Sequence, residues 1–412
     1  GRKKFHIFGM VFFVAGALLA FSSQTLEMLI VSRVVMSIGS AMGQAVVFAI
    51  IVGVFPSNER GKALGMITTA VAIGAAAGPI IAGPVIQEFG WRAVFLFTAA
   101  PTTVGIVAAI FVLDDKRIGS TARKIGSKYD WLGAGLSAAA LSLTILTISN
   151  PFAFDWISIQ IIGGAILSAA LFAMLVWWEL RIPDPMLNLR FFQNPTFSWS
   201  TSTRFLAFLG GSSTFFLMPV FVQSFMGYDQ RSAGMIMFVG AVGMGLASQL
   251  SGRLSDRYGF RRFTFIGIGT LIVTNVWFSF FVSDTPLWIV MPVLFANGLG
   301  MGMWMAPNMS ATLSTVGRGD LGSMSAFLNL VRNVGTVIGQ ALATAIIAGI
   351  MLSRGVEVQL NELADSTDPN VTGAFLDGWS LTFLVFAAVT AVALFAAIRT
   401  KVYTGDSEPK NS

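Results

Sequence analysis

The chain has 412 residues, of which 55% are hydrophobic and only 11% are charged, and its net charge at pH 7 is +6. Soluble domains carry about 25% charged residues, so this composition excludes an ordinary soluble protein and indicates an integral membrane protein. The chain has no cysteine and one histidine, His6, which excludes thiolate metal sites, histidine zinc sites and histidine-based catalytic triads. Its basic residues lie in short stretches between apolar runs, a distribution that does not suggest nucleic-acid binding. We therefore expect no enzyme activity, no metal and no cofactor.

Twelve apolar runs are long enough to cross the hydrocarbon core, which takes about 20 residues of helix. They predict an all-α membrane protein. The predicted spans are approximately 5–23, 28–55, 62–87, 92–113, 131–149, 157–180, 196–225, 231–251, 263–282, 286–311, 322–352 and 379–398.

The basic residues are distributed unevenly between the two sides of these spans. When the N-terminus is placed in the cytoplasm, most of the 26 lysines and arginines fall on the cytoplasmic side, Arg204 among them. This bias is the positive-inside pattern, and it predicts that both termini are cytoplasmic. Arg33 and Arg332 lie inside predicted spans.

The second run carries polar residues along one helical face, because Arg33, Ser37, Ser40 and Gln44 are spaced by four, three and four residues. A charge that faces lipid is costly, so we expect this face to line a cavity or to meet a neighbouring helix. Arg33 either relays proton binding by pairing with a carboxylate elsewhere or ties its helix to backbone carbonyls.

The seventh and tenth runs contain methionine, aromatic and amide side chains that suit a promiscuous binding wall. They are Phe221 and Gln223 in the seventh run, and Met301, Trp304 and Met305 in the tenth. The alternative for each is ordinary packing between helices.

The eleventh run combines two helical faces. Gly335, Gly339 and Ala343 form a face that suits close helix packing. The other face is polar and lines a cavity or joins helices by hydrogen bonds; it carries Ser325, Asn329, Asn333, Thr336, Gln340 and Thr344, with Arg332 beside it.

None of the 20 acidic residues lies deep in a predicted span. A proton-coupled transporter needs a titratable group within the membrane. The visible spans alone are therefore not expected to couple transport to protons.

Residues 252–262, GRLSDRYGFRR, lie between the eighth and ninth runs and predict a tight turn that carries an acid and several bases. This stretch resembles the cytoplasmic loop signature of the major facilitator superfamily. The resemblance implies a gating loop formed by Gly252, Asp256, Arg257, Gly259 and Arg261. The first four residues of the chain, GRKK, resemble the end of another copy of the signature.

Residues 74–83, GAAAGPIIAG, resemble the antiporter signature of exporters in that superfamily. The matching positions are Gly74, Gly78, Pro79 and Gly83, whereas Ala82 stands where a glycine is usual. Glycines four residues apart are also ordinary sites of helix packing, so both interpretations remain open.

Eight predicted spans separate the two copies of the loop signature, where six are usual. The chain therefore resembles the fourteen-helix drug:proton antiporters of the EmrB/QacA type. The resemblance implies a major facilitator fold with twelve of fourteen helices visible, in which two extra helices separate two bundles. The expected domains are an N-terminal bundle without its first two helices (1–113), a linker with the extra helices (114–195), a C-terminal bundle (196–400) and a cytoplasmic tail (401–412). The coupling acid is expected in the upstream helices.

The resemblance implies proton-coupled multidrug efflux by alternating access in a bacterial inner membrane. The implied partners are the lipid bilayer, a small amphipathic or cationic substrate and protons, whereas a periplasmic adaptor protein is left undecided. Two alternatives stay open. They are a transporter of a specific metabolite or siderophore, and a non-functional truncated fragment.

Overall fold

A computed structural model describes the greater part of the chain. The described residues are 2–54, 70, 74, 77–78, 80–114, 130–150, 154–155, 157–183, 185–211, 213–313, 315–316, 321–356 and 368–400. Only the backbone is described for residues 45, 48–49, 51–54, 253, 256–257, 321–323 and 325–326.

The regular structure within these ranges is helical throughout, without any strand. The thirteen α-helical segments are α1 Arg2–Phe21, α2 Leu26–Val54, α3 Ile80–Phe89, α4 Ala93–Val112, α5 Trp131–Ser149, α6 Ile159–Arg181, α7 Pro195–Gly211, α8 Thr214–Ser224, α9 Gln230–Tyr258, α10 Phe260–Ser279, α11 Leu287–Leu313, α12 Leu321–Ser353 and α13 Pro369–Arg399. A short 3₁₀ helix, Leu189–Gln193, precedes α7.

The predicted spans coincide with these helices. Ten described segments are long and apolar enough to cross a membrane, and α7 and α8 together form one of them, Pro195–Ser224. The predicted span at 263–282 corresponds to α10. The predicted span at 62–87 lies largely outside the described residues, and α3 represents its end.

The last helix begins ten residues before the predicted span at 379–398. We expected a loop there, but α13 starts at Pro369. The Asp368 side chain caps the helix by accepting a hydrogen bond from the Asn370 amide at 2.9 Å, and proline is favoured in the first turn. The added turns bury Val371, Ala374 and Phe375.

The loop predicted at 252–262 is mostly helical. Helix α9 continues to Tyr258, α10 begins at Phe260, and Gly252 lies inside α9. Gly259 alone separates the two helices, with a φ of 84°, a conformation that side-chain-bearing residues rarely adopt. The reversal therefore depends on one glycine, and Gly252 is not part of the turn.

The described helices fall into two compact units. The first comprises Gly1–Ser127, Asp229–Phe238 and Gly319–Ala326, and the second comprises Lys128–Tyr228, Val239–Arg318 and Phe327–Ser412.

Helices α1 and α2 hold the first unit together by backbone contact at small residues. A methyl group on Gly16 would lie 2.6 Å from the Met36 amide nitrogen, and one on Gly39 would lie 2.5 Å from the Gly9 carbonyl oxygen. Helix α4 is joined to this pair at its start, where Arg92 Nε donates to the Ser23 carbonyl at 2.7 Å.

The second unit has a dense core between α7, α10, α11 and α13. Phe208 and Trp304 meet edge to face at 5.0 Å, with Ile268, Leu271 and Ala393 packed around them. The backbones also approach closely, because a methyl group on Gly267 would lie 2.7 Å from the Gly300 carbonyl oxygen.

The contact between α9 and α11 gives a stability prediction. A methyl group at Gly298 would overlap the Gly240 carbonyl oxygen and lie 3.0 Å from the Met244 nitrogen, so Gly298→Ala must push two backbones apart. We expect it to lower the free energy of unfolding by about 1–3 kcal/mol, measured by denaturation in detergent.

Gly269→Ala is the matched control, because no described atom lies within 4 Å of the methyl group it would add to α10. It should be neutral or raise stability by about 0.5–1 kcal/mol, since alanine favours helix more than glycine does. Equal stability of the two variants would contradict the packing described for α9 and α11.

Candidate functional site

The polar face predicted on α2 lies on the surface of the first unit. Arg33, Ser37 and Gln44 are all exposed. The Arg33 guanidinium lies 5.9 Å from the centre of the Phe95 ring, and Gln44 Nε2 donates to Ser40 Oγ at 3.0 Å. Arg33, Ser37 and Gln44 thus lie on one exposed face of α2, and Arg33 also contacts Phe95 on α4.

The glycine-rich segment at 74–83 has one glycine in close contact. A methyl group on Gly83 would lie 2.6 Å from the Gln230 carbonyl oxygen, at the start of α9. Gly74 and Gly78 have no described atom within 4 Å of such a group, and Pro79 lies outside the described residues. The packing interpretation therefore applies to Gly83.

The beginning of α9 is fixed at the same place by Asp229. Hydrogen bonds from the Ser232 hydroxyl and from the Ser232 backbone amide, the latter at 3.1 Å, hold the pKa of the Asp229 carboxyl below its ordinary value. The Gln87 side chain, on α3, contributes in the same direction. Asp229 and Gln87 therefore join α3 to α9 beside Gly83.

One basic residue of the predicted gating segment bridges two helices. Arg261 donates from a terminal guanidinium nitrogen to the Ile398 carbonyl at 2.9 Å, in the last turn of α13. A cation is favourable there because unpaired carbonyls give a helix C-terminus a partial negative charge. The side chains of Asp256 and Arg257 lie outside the described residues, so their gating role stays a prediction.

The interior of the second unit contains a polar centre that the sequence analysis missed. Asn275 Nδ2 donates to the Gly210 carbonyl at 3.1 Å and lies 3.4 Å from Thr390 Oγ1. Helix α7 ends at Gly211 and α8 starts at Thr214, so the Gly210 carbonyl faces a break in the helix. Asn275 supplies the donor that the broken helix lacks.

A second set of polar contacts joins α7 to α11. Asn308 Nδ2 donates to the Ser200 carbonyl at 3.0 Å, and Thr312 Oγ1 lies 2.9 Å from Ser200 Oγ. The Asn308 Oδ1 oxygen is buried without a hydrogen-bond partner. This oxygen is an open acceptor in the core of the unit.

Arg204 is the most buried basic side chain among those described in the second unit. The positive-inside pattern predicted a position on the cytoplasmic side, but Arg204 lies inside the Pro195–Ser224 span and is 3% exposed. Arg204 Nε donates to the Leu328 carbonyl at 3.1 Å, while one terminal nitrogen has no hydrogen-bond partner. The guanidinium lies 5.2 Å from the centre of the Phe208 ring. An arginine with an open donor in a span is a functional candidate by default.

The polar face of α12 borders Arg204. Arg332 and Asn329 are partly buried, Asn333 is exposed, and Arg332 Nε contacts Asn333 Oδ1 at 3.4 Å. The predicted packing face of this helix is confirmed. A methyl group on Gly335 would lie 2.8 Å from the Phe205 carbonyl oxygen.

The residues proposed as substrate contacts form two groups, one buried and one partly exposed. Phe221, Met301 and Trp304 are buried, and Phe221 stacks on Trp379 at 4.6 Å. Met305 and Gln223 are partly exposed, and Gln223 Nε2 donates to the Pro219 carbonyl at 3.2 Å. The packing alternative therefore describes the observed contacts of the three buried residues.

Comparison with known proteins gives a consistent result. The sequence model described as Major Facilitator Superfamily matches residues 1–340 and 201–412. The chain is 27% identical to the lincomycin resistance protein LmrB of Listeria monocytogenes over 92% of this chain and 78% of that protein. It is 25% identical to the riboflavin transporter RibZ of Clostridioides difficile over 84% of this chain and 74% of that protein.

The fold also matches a solved transporter structure. The crystal structure of a bacterial homologue of the human lysosomal transporter Spinster aligns with a TM-score of 0.62 at 15% identity. The alignment covers 97% of this chain and 84% of the other. At this identity the likeness concerns the fold alone.

The break between α7 and α8 gives a prediction about Asn275. Asn275→Ala removes the donor to the Gly210 carbonyl and leaves that oxygen buried, so we expect the free energy of unfolding to fall by about 1–3 kcal/mol. Denaturation of both proteins in the same detergent measures the difference.

Asn370→Ala serves as the comparison, because Asn370 is exposed in the first turn of α13 and should change stability by no more than about 0.5 kcal/mol. A loss for Asn275→Ala that is no larger than this would mean that the helix break does not need its donor.

Proposed function

The chain belongs to the Major Facilitator Superfamily, and on that premise we propose that it exports small amphipathic or cationic compounds in exchange for protons. It is a transporter-family protein of a membrane and not an enzyme. In our proposal it works by alternating access in a bacterial plasma membrane, with both termini in the cytoplasm. The observation that carries the direction of transport is the resemblance of residues 74–83 to the antiporter signature of exporters.

The relatives support export without naming a substrate for this chain. One is a lincomycin resistance protein and another is a riboflavin transporter. The second name favours our alternative, a carrier for one defined metabolite. Both relatives are about equally similar to this chain, so substrate profiling distinguishes the two candidates.

The helix pair α5–α6 supports a place among the fourteen-helix drug:proton antiporters. The pair lies in the sequence between the two loop signatures. It packs closely, because a methyl group on Gly164 would lie 2.6 Å from Thr147 Oγ1 and because Thr144 Oγ1 and Ser168 Oγ are hydrogen-bonded at 2.5 Å. We propose that this pair is the insertion that separates the two bundles.

The charges of the second unit narrow the substrate class. The sequences of α7, α8, α10, α11 and α12 contain no Asp or Glu, whereas α7 contains Arg204 and α12 contains Arg332. A fixed cation near these guanidinium groups would be repelled. We therefore propose that amphipathic substrates with hydrogen-bond acceptors are exported better than permanently cationic ones.

Transport assays test the proposed direction and coupling. The protein is expressed in an efflux-deficient bacterium, and the loss of a preloaded neutral amphipathic dye and of ethidium is followed by fluorescence. We expect extrusion that stops when a proton uncoupler is added, with faster loss of the neutral dye. Extrusion that the uncoupler leaves unchanged would exclude proton exchange. Uptake of riboflavin without dye extrusion would establish the metabolite carrier instead.

Substitution of Arg204 tests whether its guanidinium nitrogen without a hydrogen-bond partner is needed for transport. Arg204→Met keeps most of the side-chain volume and removes a buried charge, which offsets the lost hydrogen bond to the Leu328 carbonyl, so we expect the variant to fold. We expect dye extrusion to fall by about tenfold or more, the equivalent of one lost hydrogen bond to a charged group.

The control is Arg354→Met, which removes an exposed arginine paired with Asp377. It should leave extrusion and folded yield unchanged, because exposed ion pairs contribute little. Normal extrusion by Arg204→Met would assign that arginine a purely structural role.

A further inference from the structure

Two acidic side chains are buried together at one end of the α5–α6 pair. Asp130 caps α5, and its Oδ1 oxygen accepts from the Gly133 amide at 2.8 Å and from Trp178 Nε1 at 2.9 Å. Glu179 lies in the last turn of α6, and its Oε2 oxygen accepts from the Leu187 amide at 3.1 Å. Asp130 is 5% exposed and Glu179 is 3% exposed. One oxygen of each carboxyl group thus accepts a hydrogen bond, Asp130 Oδ1 from two donors and Glu179 Oε2 from one.

The remaining oxygen of each carboxyl group points to the same place. Asp130 Oδ2 and Glu179 Oε1 are both buried without a hydrogen-bond partner. A methyl group added to Gly133 would lie 2.7 Å from Glu179 Oε1 and still closer to Asp130 Oδ2. Both oxygens therefore lie beside the position that a Gly133 side chain would occupy, and they are less than twice that distance apart.

Two ionised carboxylates do not fit this arrangement. Both open oxygens would be acceptors, and like charges in a buried site repel strongly. A single proton between Glu179 Oε1 and Asp130 Oδ2 removes one charge and satisfies both oxygens with one hydrogen bond.

The helix ends decide which carboxyl group holds the proton. Asp130 lies at the N-terminus of α5, where the helix dipole and two donors stabilise a negative charge. Glu179 lies at the C-terminus of α6, where the dipole disfavours a negative charge. The proton therefore belongs on Glu179, which donates to Asp130.

Other occupants of the space fit less well. The basic groups on the adjoining elements, Arg181 and Arg190, are exposed, and neither forms an ion pair with these acids in the described part of the chain. Arg181 instead lies over the Trp177 ring at 4.2 Å. Magnesium and calcium need six or more oxygen ligands, and two open oxygens are too few.

We propose that Asp130 and Glu179 form a proton-binding site that joins the ends of α5 and α6. The bound proton comes from solvent and is held as the acid hydrogen of Glu179. The inference does not depend on the proposed export, because it concerns the pairing of these two helices.

The site makes the helix pair sensitive to pH in a defined direction. While the proton is bound, the hydrogen bond stabilises the paired ends. As the pH rises and the proton is lost, two negative oxygens face each other and that stabilisation disappears. The contribution of this hydrogen bond to the free energy of unfolding should therefore be present at low pH and lost as the pH increases.

Amide substitutions test the site, because they replace an oxygen by a permanent donor. Glu179→Gln can accept from Leu187 and donate to Asp130, and Asp130→Asn can accept from Gly133 and donate to Glu179. Each single variant should fold and lose the infrared carbonyl band of a protonated carboxyl group that the wild-type protein shows near neutral pH. The double variant places two donors face to face and should unfold at a lower temperature than either single variant.

The pH dependence of unfolding provides the second measurement. The melting temperature of the wild-type protein in detergent should fall by several degrees between about pH 6 and about pH 9, a range that buried carboxyl groups can reach. Both single variants should lack this component of the pH dependence. Asp368→Asn is the control, because Asp368 also caps a helix but is exposed and has no acidic partner in the described structure, so it should behave as the wild type.

A distance measurement between the ends of α5 and α6 tests whether the pH change acts at this site. The chain has no cysteine, so Leu132→Cys and Leu180→Cys introduce a unique pair of exposed label sites at the ends of α5 and α6. Spin-label distances should be short and narrow at low pH, broaden at high pH in the otherwise wild-type chain, and stay narrow with Glu179→Gln. A wild-type protein without the protonated carboxyl band, or with the same pH response as Glu179→Gln, would overturn the proposal.

Discussion

Close approach of helix backbones at glycine is the contact on which the second unit depends. Gly298 meets Gly240, Gly267 meets Gly300, and Gly339 meets Leu209 with no room for a methyl group. This closeness brings short polar side chains within reach of carbonyls on neighbouring helices. Asn275 on α10, for example, donates to the Gly210 carbonyl on α7. The small residues that let helices pack closely therefore also let buried polar groups find hydrogen-bond partners.

Hydropathy predicted the helices well because burial in lipid demands long apolar runs, whatever the details of packing. It failed at helix ends. Helix α13 begins at Pro369, in a segment too polar to be predicted as a span. Asp368 and Pro369 are nevertheless residues that suit the start of a helix. Charges interrupt the apolar run before Gly259 and so predict a loop there, although α9 continues through these residues. Charged residues end a membrane span without ending its helix.

The interior sites were harder to predict, because their partners are backbone groups from distant parts of the chain. Nothing near Arg204 in the sequence indicates that the Leu328 carbonyl will accept its hydrogen bond. Helical spacing did identify the polar face of α2 and the packing face of α12, since both properties belong to a single helix. Asp130 and Glu179 lie at the ends of two different predicted spans, and only the folded α5–α6 pair brings them together.

Arg204 and the Asp130–Glu179 pair show two solutions to the cost of burying charge. Arginine keeps its proton in proteins, so Arg204 must remain charged and finds a carbonyl and an aromatic ring. A carboxyl group can instead give up its charge by binding a proton, and two facing carboxyl groups need only one. An acid at a helix end can therefore respond to pH although no acid lies at the centre of a predicted span. A buried arginine at neutral pH cannot respond in this way. In our proposals, therefore, the helix pair makes the second unit sensitive to pH, whereas Arg204 attracts the ligand.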